Sequence, residues 1–398
     1  MIKEEELNIF DTKDINEIPD YTKIEKVIEY KLVPRAVFDI ETDGINPETS
    51  RTLVIGLYDV NNQQYYYFHD DNEREMLLKF SNFMNLSQYN LLAGHNIFDF
   101  DIPFLIKRAQ YHKISNFCFR QPNPGYEQKV SGTMVMGKPI TIIPASCRKL
   151  QCSLIDTYLL VSILDNVIRS LSSLSLKQSV LELGLRKEQR IELKPNEIKE
   201  FWQTNRNKVI EYLQYDLEDT VLLLDYTYPP YYYQKEYLPD ISYQNLYLYS
   251  TAKKWNILIS KHYKNYNPTP DAKIEYEGGK VVVNPGIYLH PAKIDVSSLY
   301  PHIMLNYRIC SRKDKEQIAL SILKTITKER INLKNKAKSG DSQAKLREQS
   351  LKVLINSLYG FYGTGGYPFN DMGAAELVCA YGRKILDFMI KKIEENGG

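Results

Sequence analysis

Apolar and polar positions change their period several times along this chain. From Ala36 the residues are β-branched, aromatic and small, in runs separated by turn formers. Ala36–Ile40, Thr52–Tyr58 and Gln64–Phe68 therefore read as strands. Glu73–Met84 then takes a helical period, Leu91–Gly94 reads as a short buried strand, and Ile102–Gln110 as a second helix. Leu154–Leu164, Ser175–Leu183 and Lys208–Asp225 are read as further helices. A strand-first meander followed by alternating elements predicts a central mixed sheet with flanking helices. Pro229-Pro230 ends the last helix and marks a boundary.

A Tyr-rich connector leads from there to Glu275-Tyr276-Glu277-Gly278-Gly279, with strand-like Val281–Val283 and Lys293–Val296 after it. Two long helical stretches, Lys315–Ala337 and Ser342–Leu358, meet at the turn Lys338-Ser339-Gly340-Asp341 and predict a helical hairpin. Ala374–Glu395 is read as a last helix, stopping at Gly397-Gly398. Residues 1–30 have little apolar periodicity and read as an acidic extension. No internal repeat is visible.

Composition narrows the class. At 398 residues the chain is too long for one core and calls for two or three domains. No run of about 18 apolar residues occurs, which argues against a membrane span. The acidic N-terminus lacks the apolar stretch of a signal peptide. Five cysteines (Cys118, Cys147, Cys152, Cys310, Cys379) show no zinc-type spacing, so a reduced, cytoplasmic protein is expected. Tyr is plentiful at 31, with runs such as Tyr65-Tyr66-Tyr67 and Tyr231-Tyr232-Tyr233 that either fill strands and cores or stack on bases. Net charge is only +2, but it is unevenly spread. Residues 1–30 hold nine Asp/Glu against four Lys/Arg, whereas residues 311–354 hold twelve Lys/Arg against five Asp/Glu. A basic run is most often a solvated helix face. This one lies among motifs that point to a phosphate partner.

Val37-Phe38-Asp39-Ile40-Glu41-Thr42 puts Asp39 and Glu41 on one face of a strand, because side chains two apart point the same way. Neighbouring carboxylates repel unless protonated or bound to a cation. Gly94-His95-Asn96-Ile97-Phe98-Asp99-Phe100-Asp101 runs from a strand into a helix start and offers Asp99 and Asp101. Tyr212 and Asp216 lie four apart on one helix face. Plainer roles are open to each: a helix cap for Asp101, a solvated surface for Tyr212 and Asp216. Taken together, Asp39, Glu41, Asp101 and Asp216 form the set a two-metal nuclease requires, with Tyr212 placed to orient the attacking water.

These three segments resemble the proofreading 3′→5′ exonuclease of family B DNA polymerases. Asp39-Ile-Glu41 fits its first motif, Asn96 through Phe100-Asp101 its second, and Tyr212-x3-Asp216 its third. The family spacing selects Asp101 over Asp99. Tyr215-x3-Asp219 reads the same way as Tyr212-x3-Asp216, and the resemblance favours Asp216.

The second half carries further motifs. Asp295-Val-Ser-Ser-Leu-Tyr300-Pro301 follows Ala292-Lys293-Ile294, read as a short strand presenting Asp295 at a sheet end. A carboxylate with neighbouring carbonyls can hold Mg²⁺ on nucleotide phosphates, and Tyr300 can exclude a 2′-hydroxyl sterically. The plainer alternative is a helix-capping Asp beside a packed Tyr. Lys352, Asn356 and Tyr359 fall on one helical face, and Arg330 and Lys334 form another pair. Converging cations suit a triphosphate, and a solvated basic helix is the alternative.

This half also resembles family B polymerases. Residues 295–301 match the first palm motif, Lys352-x3-Asn356-Ser357-x-Tyr359-Gly360 the fingers motif, and Tyr276-x-Gly278-Gly279 the linker motif. The resemblance covers residues 31–398 and is nearest in wording to a compact bacterial or viral subgroup. It implies an α/β chain: an RNase H-like exonuclease domain (31–230), a connector (231–290), a partial α+β palm (291–312 and 363–398) and helical-hairpin fingers (313–362), behind the acidic extension (1–30). It implies two Mg²⁺ or Mn²⁺ ions per active site, with Asp39, Glu41, Asp101 and Asp216 as ligands in one. In the other, Asp295 and the Val296 carbonyl bind metal. It implies that Ser298, Leu299, Tyr300, Arg330, Lys334, Lys352 and Asn356 bind dNTP. Asn96, Tyr276, Gly278, Gly279, Tyr359 and Gly360 would contact primer-template or single-stranded DNA.

Two departures qualify the match. The family's large N-terminal domain is almost absent. The third palm motif, with its Asp-Thr-Asp segment, and the thumb are not found before Gly398. The expectation is thus a split polymerase whose missing carboxylates and thumb come from a complementary fragment. A chain acting alone as a 3′→5′ exonuclease is the alternative, and a non-catalytic DNA-binding remnant a third. Cytoplasmic location, nucleoid-associated or viral, goes with all three.

Overall fold

A computed structural model describes residues 4–119, 128–135, 138–142, 152–283, 285–287, 289 and 294–396, with the backbone alone for 128–135 and 138–142. The chain forms two compact units. A sheet unit comprises residues 26–235 and 239–248, and a helical unit residues 1–25, 236–238 and 249–398.

In the sheet unit, β1 (Arg35–Thr42), β2 (Thr52–Asp59) and β3 (Gln64–Phe68) form an antiparallel meander, as their composition predicts. β4 (Leu91–Gly94) then adds parallel to β1 after helix α1 (Glu73–Leu86), giving the order β3-β2-β1-β4-β7. Helix α2 (Asp101–Tyr111) follows, and residues 128–135 and 138–142 pair as a hairpin, β5 and β6, which the sequence pattern did not reveal. β7 (Ser153–Asp156) lies parallel to β4 and runs directly into α3 (Thr157–Ile168). Leu154–Leu164 is therefore a strand end and a helix, not one helix. A parallel strand covered on both faces is a continuous apolar run, and its period cannot be told from that of a buried helix.

Three helices complete the cover, α4 (Leu176–Glu182), α5 (Pro195–Thr204) and α6 (Arg206–Thr227), and α7 (Pro229–Tyr232) and α8 (Tyr243–Leu248) close the unit. Helix α6 packs against β1, β2 and β4. The approach is close at Gly56, the residue paired with Asp39, where a Cβ would come within 2.8 Å of Leu213. The absent side chain at position 56 is what lets α6 lie beside the carboxylates of β1. Tyr232 and Tyr233 are core residues here.

In the helical unit, α9 (Thr251–Ser260) buries Trp255 completely, and its Nε1 donates to the Leu354 carbonyl at 3.0 Å. α10 (Leu299–Asn306) is followed by the antiparallel hairpin of α11 (Ile318–Lys338) and α12 (Ser342–Asn356), turning at the predicted Gly340, which has φ +98°. α13 (Leu358–Tyr362) and α14 (Met372–Glu395) follow. α14 begins at an Asp371 cap that accepts from Ala374 N. Cys118, Cys310 and Cys379 carry free thiols, and Cys147 lies outside the described residues.

Two strand expectations fail in this unit. Val281–Val283 is irregular and largely exposed, and residues 294–296 are irregular too, while Ala292 and Lys293 lie outside the described residues. A strand exists only where a neighbour takes up its N–H and C=O groups, and among the described residues neither segment has one. The acidic stretch also differs from a free extension. Ile18 is 1% exposed, Lys13 N donates to the Asn306 carbonyl at 2.7 Å, and Tyr21 N to Ser321 Oγ at 2.8 Å. Its acids meet bases: Glu4 pairs with Arg383, and Glu17 with Arg308 at 2.7 Å. Short 3₁₀ turns carry no apolar period, so this packing leaves little trace in the sequence.

Candidate active site

In the sheet unit the four carboxylates singled out in the sequence come together. Asp39 and Glu41 project from one face of β1, and Asp216 faces them from α6. Oxygen atoms of these three lie within 4.8 Å of one another. Asp101, the first residue of α2, is buried beside Asp39 and shares a hydrogen bond with it. Asp99 is exposed and stands apart. Between the two Tyr-x3-Asp readings, Asp216 is the one in the cluster. Asp219 instead accepts from Arg186 Nε at 2.5 Å and pairs with Arg190.

Packing so many acids in a buried site raises their proton affinity. Burial pushes Asp39 well above the usual carboxylate range, and the charges of Asp101, Asp216 and Glu41 add to it. Glu41 is raised by burial, then by Asp216 and Asp101, with Lys177 and Arg190 pulling the other way. Burial lifts Asp101 to about 7. Asp216 rises through burial despite the Arg190 guanidinium, 2.6 Å away.

The donor set fits divalent cations. It consists of hard carboxylate oxygens, and Oδ1 of Asp101 is buried with no hydrogen-bond partner. Nearby, Lys177 Nζ donates to the Tyr212 hydroxyl at 2.8 Å and lies 4.5 Å from that ring's centre.

Three residues at this site escaped the sequence reading. Lys177 lies on the predicted helix α4, and Arg190 on an irregular stretch. Arg186 and Arg190, four apart just upstream of an acid-rich helix, were the available signal. Asp156 caps α3 by accepting from Tyr158 N at 2.9 Å. It also accepts from Asn96 N at 2.9 Å and Phe98 N at 3.2 Å, fixing the turn that delivers Asp101. Asn96 itself takes a left-handed conformation, φ +65°.

The helical unit holds a second candidate site, a cleft of about 810 Å³. Asp295, Val296, Ser298, Leu299 and Tyr300 line one wall, and Arg330, Lys334, Lys352 and Asn356 of the hairpin line the other. Arg330 spans both, donating from Nη1 to Ser298 Oγ at 2.5 Å and from Nε to Glu348 at 2.8 Å. Lys338 and Lys345 also line it, two cations the sequence reading did not select.

Tyr359 does not line the cleft with Lys352 and Asn356. The helix breaks after Asn356, where Ser357 Oγ turns back to the Leu354 carbonyl, and Tyr359 restarts on α13. Tyr359 joins a separate group instead. Its hydroxyl lies 3.1 Å from that of Tyr276 and accepts from Cys379 Sγ at 3.0 Å, while its ring lies 4.7 Å from that of Tyr300. Arg383 fixes the neighbouring loop by donating to the carbonyls of Glu277 at 2.7 Å and Gly278 at 2.5 Å. A Cβ on Gly279 would reach Tyr300 Oη at 3.0 Å, and Gly360 has open space around it.

Comparisons with known proteins bear on both sites. A family model described as the RNase_H superfamily matches residues 36–128. The DNA polymerase of Archaeoglobus fulgidus is 24% identical over 423 residues, covering 94% of this chain and 50% of the relative. That of Pyrococcus glycovorans is 24% identical over 373 residues, covering 82% and 45%. The DNA polymerase delta catalytic subunit of Oryza sativa subsp. japonica is 26% identical over 382 residues, covering 82% and 33%. The structure of the family B DNA polymerase of Pyrobaculum calidifontis matches with a TM-score of 0.64 at 19% identity, over 92% of this chain and 51% of the other. The chain thus spans about half or less of these relatives. No helix among the described residues is long and apolar enough to cross a membrane.

Proposed function

Proceeding from an RNase H-like domain and homology to family B DNA polymerases over most of the chain, we propose that the sheet unit is a 3′→5′ DNA exonuclease. We propose that the helical unit is the nucleotide-binding palm and fingers of the same polymerase. The observation that carries the first part is the convergence of Asp39, Glu41 and Asp216 within 4.8 Å, with Asp101 beside them. These four side chains hold the divalent ions, Mg²⁺ or Mn²⁺, which supply Lewis-acid activation of water and charge neutralisation at the phosphate. Tyr212, its hydroxyl steadied by Lys177, orients the attacking water. Asp156 holds the turn from Asn96 to Phe98 and so keeps Asp101 in register with β1.

The cleft beside Asp295 suits a deoxynucleoside triphosphate. Arg330, Lys334 and Lys352 offer pre-placed positive charge to the phosphates, and Asn356 adds a polar contact. Tyr300 lines the same cleft and serves, on this reading, to exclude a 2′-hydroxyl. Nucleotidyl transfer by two ions calls for a further carboxylate close to Asp295. Among the described residues, Glu348 is the other acid lining the cleft, and it is tied to Arg330. On this reading synthesis needs a further carboxylate, which we propose a complementary polypeptide supplies. Primer-template DNA and dNTPs are the partners of that assembly.

Degradation of 3′-labelled single-stranded DNA by the 398-residue chain tests the first part. Cleavage should require Mg²⁺ or Mn²⁺ and vanish in Asp39→Ala. DNA binding with a steep salt dependence and no turnover would instead mark a non-catalytic binding protein. Primer extension tests the second part. It should be negligible for this chain alone and appear when a polypeptide with the third palm motif and thumb is added.

A further inference from the structure

Arg190 is held between two acids of different kinds. Its Nη2 donates to Oδ1 of Asp216 at 2.6 Å, and its Nη1 pairs with Oδ2 of Asp219. Asp219 is 1% exposed and also takes the Arg186 Nε at 2.5 Å, while Arg186 Nη2 reaches Glu218 at 2.9 Å. One end of the guanidinium is thus anchored in a buried network away from the β1 carboxylates. The other end covers an oxygen of the proposed ligand set. Its carbon lies 5.4 Å from the centre of the Tyr212 ring and 5.7 Å from that of Tyr215, so two flat faces border the group.

A cation that takes Oδ1 of Asp216 together with Asp39 and Glu41 would compete with Nη2, which donates to that oxygen. Once Nη2 is displaced, a planar guanidinium with spare donors stands next to the ligand set. Loss of the Asp216 partner would leave those donors unsatisfied in a largely buried place, unless another anion takes them. A phosphodiester oxygen is such an anion, and the charged Nη2 can donate to it while Nη1 stays on Asp219.

We propose that Arg190 is a substrate-binding residue of the nuclease site. It rests on Asp216 when the site is free and turns to a non-bridging phosphate oxygen of the DNA when the carboxylates take their ions, with Nη1 anchored on Asp219 throughout. Asp219, the second of the two Tyr-x3-Asp acids, is then the positioning residue for Arg190 and not a metal ligand. The inference rests on the exonuclease reading above.

Two measurements on the 398-residue chain test it. The first is Mn²⁺ affinity without DNA, read from the electron paramagnetic resonance of free Mn²⁺. The second is kcat/KM for single-stranded DNA. Removing the competitor in Arg190→Gln should tighten Mn²⁺ binding by about 10- to 100-fold, the scale of one charged hydrogen bond. The same change should lower kcat/KM by about 10- to 100-fold, largely through KM, as expected for a lost phosphate contact. Unchanged or weaker Mn²⁺ binding, or an unchanged kcat/KM, overturns the proposal. Arg190→Lys keeps the charge but not the fork; it should fall between wild type and Arg190→Gln in both readouts, and it decides the matter if Arg190→Gln fails to fold. Asp216→Ala separates the two levels. If it alters neither Mn²⁺ binding nor degradation, the exonuclease reading itself fails. If it abolishes both while Arg190→Gln behaves as wild type, only the role of Arg190 is lost.

Discussion

Gly382 of α14 lies against the ring of Tyr300 so closely that a Cβ there would come within 2.9 Å of Cε1. The ring is also bounded by Gly279, the Tyr359 ring and the Cys379 thiol. Burial, followed by Cys379, pushes the Tyr300 hydroxyl up to about 12, so it is neutral throughout the useful pH range. A neutral Tyr300 offers the cleft shape and not charge, and Gly382 sets where that shape stands.

Gly382→Ala should therefore move Tyr300 toward the nucleotide cleft. Binding of a fluorescent dNTP should weaken by about tenfold, the scale of an overpacking penalty of 1–3 kcal/mol. Exonuclease activity should be unaffected. Alanine is a better helix former than glycine by about 1 kcal/mol, so an unstrained site would be stabilised. A raised melting temperature with unaltered dNTP affinity would refute the steric account.

Lys177 and Tyr212 should act as one unit. Tyr212→Phe removes the hydroxyl, and Lys177→Met removes the group that holds it; each should cut exonuclease kcat by about 10- to 100-fold, the range of a lost water-orienting group. Mn²⁺ affinity should change little in Tyr212→Phe. The double variant should be no slower than the worse single one, because both remove the same water-orienting contact. Additive losses in a double-mutant cycle would mean that the two side chains act separately.

How much of this was readable beforehand follows from what each signal is made of. Asp39 and Glu41 were legible because a strand's two-residue period leaves only one face for both. Asp216 was legible only through the family resemblance, because Tyr212-x3-Asp216 and Tyr215-x3-Asp219 are equivalent as strings; the helix rotation against Gly56 is what turns Asp216 toward β1. Arg190 and Asp156 were not legible, since an irregular stretch and a strand end bring them in from distant parts of the chain. In the second unit, the hairpin was plain from its period and its turn. The fate of Tyr359 was not, because nothing in Asn356-Ser357-Leu358 announces that the helix breaks there. Residues 4–25 hid their packing because isolated contacts such as Ile18 make no pattern.

The carboxylate cluster should link metal affinity to pH. Burial raises Asp101 to about 7, and Asp39 and Glu41 are also raised. A carboxyl raised in the folded state favours folding below its unfolded value, near 4, and that contribution is lost as pH rises through the folded value. Divalent cations select the ionised form and release those protons. The rise in melting temperature on adding Mg²⁺ should accordingly grow from pH 5 to about pH 7.5. His95, lowered to about 4 by burial, adds an opposite slope, but it is common to samples with and without metal. Asp101→Asn should flatten the dependence. A metal-induced shift that is constant across this range would rule out proton release by the cluster.

Residues 4–25 should behave as part of the helical unit and not as a tail. Glu4 pairs with Arg383, which in turn holds the carbonyls of Glu277 and Gly278, and Ile18 is buried. The two tryptophans give a way to see this. Trp202 lies in α5 of the sheet unit and Trp255 in α9 of the helical unit. With Trp202→Phe, fluorescence follows the helical unit; with Trp255→Phe, it follows the sheet unit. Ile18→Ala should lower the denaturation midpoint reported by Trp255, with a loss of about 2–5 kcal/mol for a fully buried aliphatic side chain. The midpoint reported by Trp202 should stay where it was. Removal of residues 1–20 should produce the same pattern in larger measure and weaken dNTP binding, because Arg383 loses Glu4 while still bound to the loop beside Tyr300. An unmoved Trp255 transition after that deletion would show that the acidic stretch contributes nothing to the unit.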